Sequence, residues 1–206
     1  MTIIMKTIMM TVMYNVNRRA SKVCLMKVSR EQMAENRNRI LDAAARLFRE
    51  RGFDNVTVAE VMGAAGLTHG GFYGHFDSKE ALIEAAIAHE LSRLRRPSLE
   101  DAGRYADSYL SRQHRDNVGA SCPFSSLGTE AVRASPEVRH TLTQSLRQQI
   151  DSFSGSSLGD TAQERRDNAI ATLSTMMGAM MLARLVDDAG LSDEILTAAR
   201  ASLRLS

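Results

Sequence analysis

Apolar residues recur along this chain at intervals of three and four, the spacing of one helix face, and no run alternates as a half-buried strand does. The pattern predicts an all-α protein. From about Ser29 to Arg51, Ile40, Ala44, Leu47 and Phe48 fall at i, i+4, i+7 and i+8, and Gly52 follows as a stop signal. Val58, Val61, Met62 and Ala65 repeat the stripe over two turns, and Leu82, Ile83, Ile87, Leu91 and Leu94 carry a long helix to about Arg95. Further on, Val138, Leu142, Leu146, Ile150 and Phe153 line a helix opened by Ser135-Pro136, a cap and first-turn pair, and Pro97 and Pro123 read as helix starts too. Ser154 to Gly159 reads as a loop. Thr161 to about Asp187 is the longest late helix, and its centre, Leu173 to Leu182, is apolar nearly all round, so it must be covered nearly all round. Gly190 and Ser192 punctuate before a last amphipathic helix with Ile195, Leu196, Ala199 and Leu203.

The segment from Thr57 to Lys79 carries the most information. Thr57 and Glu60 form a capping box, each side chain reaching the other's amide. Gly66 stands where the chain must leave a short helix with φ > 0. Leu67 plugs the corner, Thr68 is the next cap candidate, and His69 to Phe76 makes about two turns. Phe72 and Phe76, at i and i+4, face inward, leaving His69, Gly70, Gly71, Tyr73 and His75 outside. Asp77-Ser78-Lys79-Glu80 reads as a second capping box. Two short helices joined by a tight turn, with a third close behind, is the layout of a helix-turn-helix DNA reader. The Gly70-Gly71 pair costs a helix about 1 kcal/mol per glycine. A frayed helix or loop is one reading of it; the favoured one is backbone that must come close to a phosphate or a base edge.

These residues resemble the tetracycline-repressor (TetR) family of bacterial transcription regulators. The likeness covers roughly residues 30–90 and rests on Ile40 to Ala44, Leu47-Phe48, Gly52-Phe53, Thr57-Val58, Ala64 to Leu67, Phe72-Tyr73, His75-Phe76 and Ser78 to Leu82. Met62, where the family usually has alanine, and Gly70-Gly71 depart from the pattern. The resemblance implies that Thr68, His69, Gly70 and Gly71 touch base edges, and that Tyr73, His75 and Lys79 contact phosphates. Thr57 adds a phosphate contact at its own helix start. It also implies repression as the mode of action, and a ligand pocket in the later helices coupled to the reading heads.

Charge adds modest support. The net charge is +2, but residues 1–80 hold 12 lysines and arginines against 8 acids, and the remainder 14 against 16. The two cysteines, Cys24 and Cys122, and the absence of metal-type clustering suit a reducing cytoplasm and no metal or other cofactor. No apolar run reaches membrane-spanning length. No Ser-His-Asp set, paired carboxylates or phosphate loop supports an enzyme. Residues 1–28 read as a disordered extension from an upstream start, with Met26 near the expected beginning; a basic arm of Arg18, Arg19 and Lys22 along DNA is the alternative. Residues 29–80 then form the DNA-binding domain and 81–206 a helical effector-binding and dimerisation domain.

One recognition helix covers few base pairs, so a two-fold dimer reading a palindromic double-stranded operator, half-sites about 34 Å apart, is expected, joined through the last two helices. By composition, Tyr105, Tyr109, Phe124, Leu127, Leu146, Phe153, Met177 and Met181 line the pocket for an unidentified small-molecule effector. Cys122, before Pro123 at a helix start, is a candidate redox switch, since exposed N–H groups there lower a thiol pKa; a thiol- or electrophile-sensing regulator is the alternative function.

Overall fold

The computed structural model describes residues 29–94, 102–203 and 205. Residues 1–28 and Pro97, on which the extension and one helix start were read, lie outside them. The chain divides into two units, Met1–Asn36 and Arg37–Ser206. Of the described residues, the first unit holds only the opening turns of the first helix, and the second holds all the rest.

Nine α-helices and two short 3-10 segments make up the described fold. Helix α1, Arg30–Arg51, buries Ile40, Leu41, Ala44, Leu47 and Phe48 along one face. Gly52 ends it with φ +81, and its missing side chain leaves room for the Glu130 carboxylate, which accepts from the Phe53 amide at 2.7 Å. Helix α2, Val58–Ala64, opens on the Thr57–Glu60 capping box and closes at Gly66, φ +68, as the sequence required. The stretch His69–Gly74 is a 3-10 helix, not the two α-helical turns expected. Glycines at 70, 71 and 74 remove most of the helix-forming tendency of a six-residue piece. Helix α3, Lys79–Arg93, is capped by Ser78, whose Oγ accepts from the Ala81 amide at 3.0 Å; Ser78 rather than Asp77 therefore opens it.

Then follow α4, Ala102–Tyr109; α5, Arg112–Asp116; a 3-10 turn at Val118–Ala120; and α6, Pro123–Ala131, with Pro123 in its first turn. Helix α7, Pro136–Ser156, starts at the Ser135 cap. It runs through the first half of the expected Ser154–Gly159 loop, where Ser154 and Ser157 each turn a hydroxyl back on a carbonyl four residues earlier instead of offering it to a turn. Helix α8, Ala162–Leu185, opens on a capping box of Thr161 and Glu164. Helix α9, Ala189–Ser202, is capped by Asp188, so Gly190 and Ser192 sit inside its first turns instead of preceding it, and Asp188 is spent on the cap rather than simply solvated. Among the described residues the sole extended pairing is an isolated bridge, Ser157 with Leu205. No described helix is long and apolar enough to cross a membrane.

Two apolar clusters hold these helices. The first joins α1, α2 and the 3-10 segment to Leu82, Ala86, Ile87 and Leu91 of α3, and on to Leu127 and Val138. The second gathers Tyr109, Phe153, Leu173, Met176, Met180 and Leu196. Phe124 packs against both. The α8 centre is covered on one side only: Met176 and Met180 are buried, while Ile170, Met181, Leu182 and Leu185 stay exposed, the last at 80%.

The Glu60 carboxylate receives the Thr57 amide and hydroxyl and the Arg51 guanidinium, which hold its pKa at about 2. Since the folded value lies below the ordinary 4.5, the cap's contribution is complete above that pH and fades as pH falls towards 2. An NMR pH titration of the Glu60 side chain is expected to give a midpoint near 2; a midpoint above 4 would mean that the box does not hold in solution.

Candidate nucleic-acid interface

The 3-10 segment presents its residues on two sides. Phe72 and Phe76 are buried and stacked at 5.9 Å between ring centroids, anchoring it to the first core. Thr68, His69, Gly70, Gly71 and Tyr73 are exposed, a row broken in sequence by buried Phe72, with Tyr73 at 72% exposure. The Thr68 side chain makes no capping bond. His75 and Lys79 are half-buried beside the row. Thr57 is exposed, but its hydroxyl is already committed to both the amide and the carboxylate of Glu60. It joins a phosphate only by loosening the cap.

Neither glycine of the pair is required by the fold. Neither has positive φ; a side-chain carbon at Gly70 would meet nothing, and one at Gly71 would touch the Met62 methyl at an ordinary 3.7 Å. Met62 is fully buried under the segment. The vacancy at Gly70 therefore faces outward.

Two arginines of α1, not singled out from sequence, hold the segment at both ends. Arg39 donates to the Ala65 carbonyl at the Gly66 turn. Arg37 donates to the His75 carbonyl at 2.6 Å and lies 4.2 Å over the Phe76 ring, a cation–π contact. Burial, then the Arg37 charge, push the His75 pKa below its usual value, so this imidazole is a neutral hydrogen-bonding group at pH 7. Arg37 and Arg39 lie on the polar face of an amphipathic helix, where such contacts have no local sequence signal.

In the later helices a cleft of about 450 Å3 opens beside Tyr105 and Tyr109. Ser108, Gln113 and Asn117 give it polar walls, and Glu90 and Arg93 of α3 border it. Of the eight expected pocket residues, only the two tyrosines line it. Phe124 packs between the cores and Leu127 is buried in the first. Phe153 is buried edge-on to Tyr105, Leu146 and Met177 are half-buried, and Met181 faces out. The apolar residues went to the core, and the cleft kept a more polar set.

Asp42, His89 and Glu90 also converge, with ligand-type atoms within 4.8 Å of one another. Guanidinium groups already fill the spaces between them: Arg93 lies 2.5 Å from Asp42 and 3.0 Å from His89, and Arg49 lies 2.6 Å from Glu90. This arrangement is an ion-pair network.

Cys122 borders the cleft at the start of α6, but it is buried and its thiol pKa is raised, contrary to the lowering expected from its position. Burial outweighs the downward pull of the Phe124 and Ser125 amides at the helix start. His114 does fold close, yet its Nε2 accepts the Cys122 backbone N–H at 3.2 Å while Nδ1 faces the Tyr109 carbonyl at 2.7 Å. The imidazole is thus occupied and does not serve the thiol as a base. In a Cys24→Ser background, Cys122 is expected to react with a disulfide reagent at pH 7.5 at least about tenfold more slowly in the native protein than in urea; equal rates would show an open, activated thiol.

Residues 40–86 match the family model for bacterial regulatory proteins of the tetR family. A transcriptional repressor of Mycobacterium tuberculosis, Rv1474c, is 38% identical over 68 residues, 33% of this chain and 36% of that protein. The repressor DhaR of a Mycobacterium species is 28% identical over 124 residues, 57% of this chain and 63% of its own length. Rv1474c and the regulator YerO of Bacillus subtilis are matched over only about a third of their lengths. Among solved structures, reduced E. coli NemR superposes with TM-score 0.68 at 20% identity, covering 83% of this chain and 98% of that one. A TetR regulator of Chloroflexus aurantiacus gives 0.65 at 24% identity, covering 85% and 100%. These superpositions concern the fold alone.

Proposed function

We propose, from the premise that this chain belongs to the TetR family and is a DNA-binding transcription regulator rather than an enzyme, that it acts as a homodimeric repressor of a palindromic operator, released by a small molecule. Residues 29–80 read the operator, and residues 81–206 hold the effector and join the two subunits.

The observation that carries this reading is the exposed row Thr68, His69, Gly70, Gly71 and Tyr73, held rigidly from behind by Phe72 and Phe76. Few of its side chains reach outward, so base readout falls to Thr68 and His69, aided by DNA shape. Tyr73, His75 and Lys79 take phosphates. Gly70 lets the backbone approach. In the later helices, the apolar strip of Ile170, Met181, Leu182 and Leu185 on α8, with Leu191 on α9, supports pairing of subunits through the last two helices. The cleft beside Tyr105 and Tyr109 is the effector site. Sensing through Cys122 is the weaker reading, since the thiol is buried and neutral.

A gel shift on the DNA upstream of this protein's gene tests the reading. A discrete complex that survives excess unrelated duplex and weakens steeply with salt is expected. Gly70→Ala should fold at least as well as the parent yet bind about tenfold more weakly, the size of one lost contact of about 1–2 kcal/mol. Unchanged affinity would mean that the glycine is not there for DNA. Leu185→Glu should turn a dimer into a monomer in sedimentation velocity; a dimer that persists would move the interface elsewhere.

A further inference from the structure

Helix α4 ends at Tyr109 and α6 starts at Pro123, and one imidazole bonds to both ends. His114, on the short α5 between them, has Nδ1 2.7 Å from the Tyr109 carbonyl oxygen and Nε2 3.2 Å from the Cys122 backbone nitrogen. Its ring meets the Tyr109 ring edge-on, 4.5 Å between centroids. Cys122 caps α6. Its carbonyl accepts from the Ser125 and Ser126 amides and hydroxyls, and its N–H goes to His114. Tyr109, His114 and Cys122 all line the cleft of about 450 Å3, so the imidazole joins two of its walls.

These partners fix where the proton sits. A backbone N–H only donates, so Nε2 is bare; a carbonyl only accepts, so Nδ1 carries the proton and the ring is neutral. The charges around it do not favour a second proton. From α8, Arg184 donates to the His114 and Arg115 carbonyls at 2.7 and 3.0 Å, and its Nη1 is buried with no hydrogen-bond partner. A cation therefore already stands behind the ring. The carboxylates nearby are taken: Asp116 pairs with Arg115, and Asp193 of α9 with Arg112 and Arg115. At the α3 side of the cleft, Glu90 pairs with Arg49 and Arg93 with Asp42. The Tyr109 hydroxyl and the Cys122 thiol are uncharged. Burial, with the Arg184 charge, holds the His114 pKa below its usual 6.5, against the opposite pull of the Tyr109 carbonyl.

A second proton can go only to Nε2, where it faces the Cys122 N–H donor to donor. The bond becomes a repulsion, and two donors are left without acceptors. We propose that His114 is an acid-released latch: on protonation it lets go of the start of α6, the cleft wall opens, and the Cys122 thiol comes within reach of solvent. The released ring titrates at the ordinary value and the latched ring below it. The latch is therefore complete above 6.5 and is lost as pH falls through the latched value. It stands whether or not the cleft takes an effector.

Cys122 is the reporter. In the Cys24→Ser chain its rate with dithiodipyridine, which reacts with thiols in acid, is divided by the rate in urea at the same pH. That ratio is expected to rise about threefold or more between about pH 7.5 and about pH 5, with helicity by circular dichroism unchanged. A flat or falling ratio would overturn the latch, and so would a rise that comes with lost helicity. His114→Gln keeps a side-chain oxygen to accept from Cys122 but takes up no proton. Its ratio should stay flat, and a rise matching the parent's would take the role away from His114. Nitrogen-15 shifts of the wild-type imidazole decide the point without any variant. In mild base the proton should sit on Nδ1, with a midpoint below 6.5. A proton on Nε2, or a midpoint above 6.5, would overturn the latch.

Discussion

A six-residue 3-10 segment with three glycines has no stability of its own, and the helices around it supply that stability from outside. Phe72 and Phe76 anchor it below, and Met62 fills the space beneath Gly71. Arg39 fixes the turn that leads in, and Arg37 the carbonyl that leads out. Met62 comes from α2, and both arginines come from one turn of α1. The geometry of the exposed row is thus a property of the three-helix packing rather than of the row. A glycine-rich surface can then be bare and still be rigid, which a bare helix in isolation could not be.

The same dependence continues inward. The first core does not close at residue 80, since it borrows Leu82, Ala86, Ile87 and Leu91 from α3, Leu127 from α6 and Val138 from α7. Polar ties follow the same route: Glu130 of α6 receives the Phe53 amide, and Arg49 reaches Gly119. Buried charges of this kind add little net stability, because desolvation offsets most of their attraction. Their geometric demand is strict, however. A buried guanidinium needs its acceptors in place, so it fixes the register of α1 against the later helices more sharply than apolar contacts do.

What the sequence disclosed was local. Thr57 with Glu60, Gly66, and Ser135 before Pro136 are short-range signals, and each stands where the pattern put it. The exposed row was legible for the same reason: Phe72 and Phe76 define an inside, and the remainder follows. Failures came where local tendency met a wider setting. Gly190 reads as a stop only if the Asp188 cap goes unnoticed. The serines near the end of α7 read as a loop until their hydroxyls are seen folded onto the helix. The cleft was largely illegible, because it is built by pairs distant in sequence: Arg49 and Gly119 are 70 residues apart. Composition pointed to large apolar residues as pocket lining, but those are what a core consumes first. Cys122 shows the same competition: its helix-start position was correctly read, and burial, which sequence does not give, reversed the consequence.

Helix α3 joins these levels. It begins at Ser78, directly behind the 3-10 segment, and ends with Glu90 and Arg93 at the cleft. Its sequence, KEALIEAAIAHELSR, contains no glycine or proline, so nothing within it invites a kink. At 1.5 Å per residue its 15 residues form a rod of about 22 Å. Leu82, Ala86, Ile87 and Leu91 seat that rod in the first core, while Glu90 and Arg93 meet α1 through Arg49 and Asp42. A rod so seated tilts rather than bends. Its two ends, Lys79 behind the 3-10 segment and Glu90 and Arg93 at the cleft, therefore keep a fixed spacing and direction.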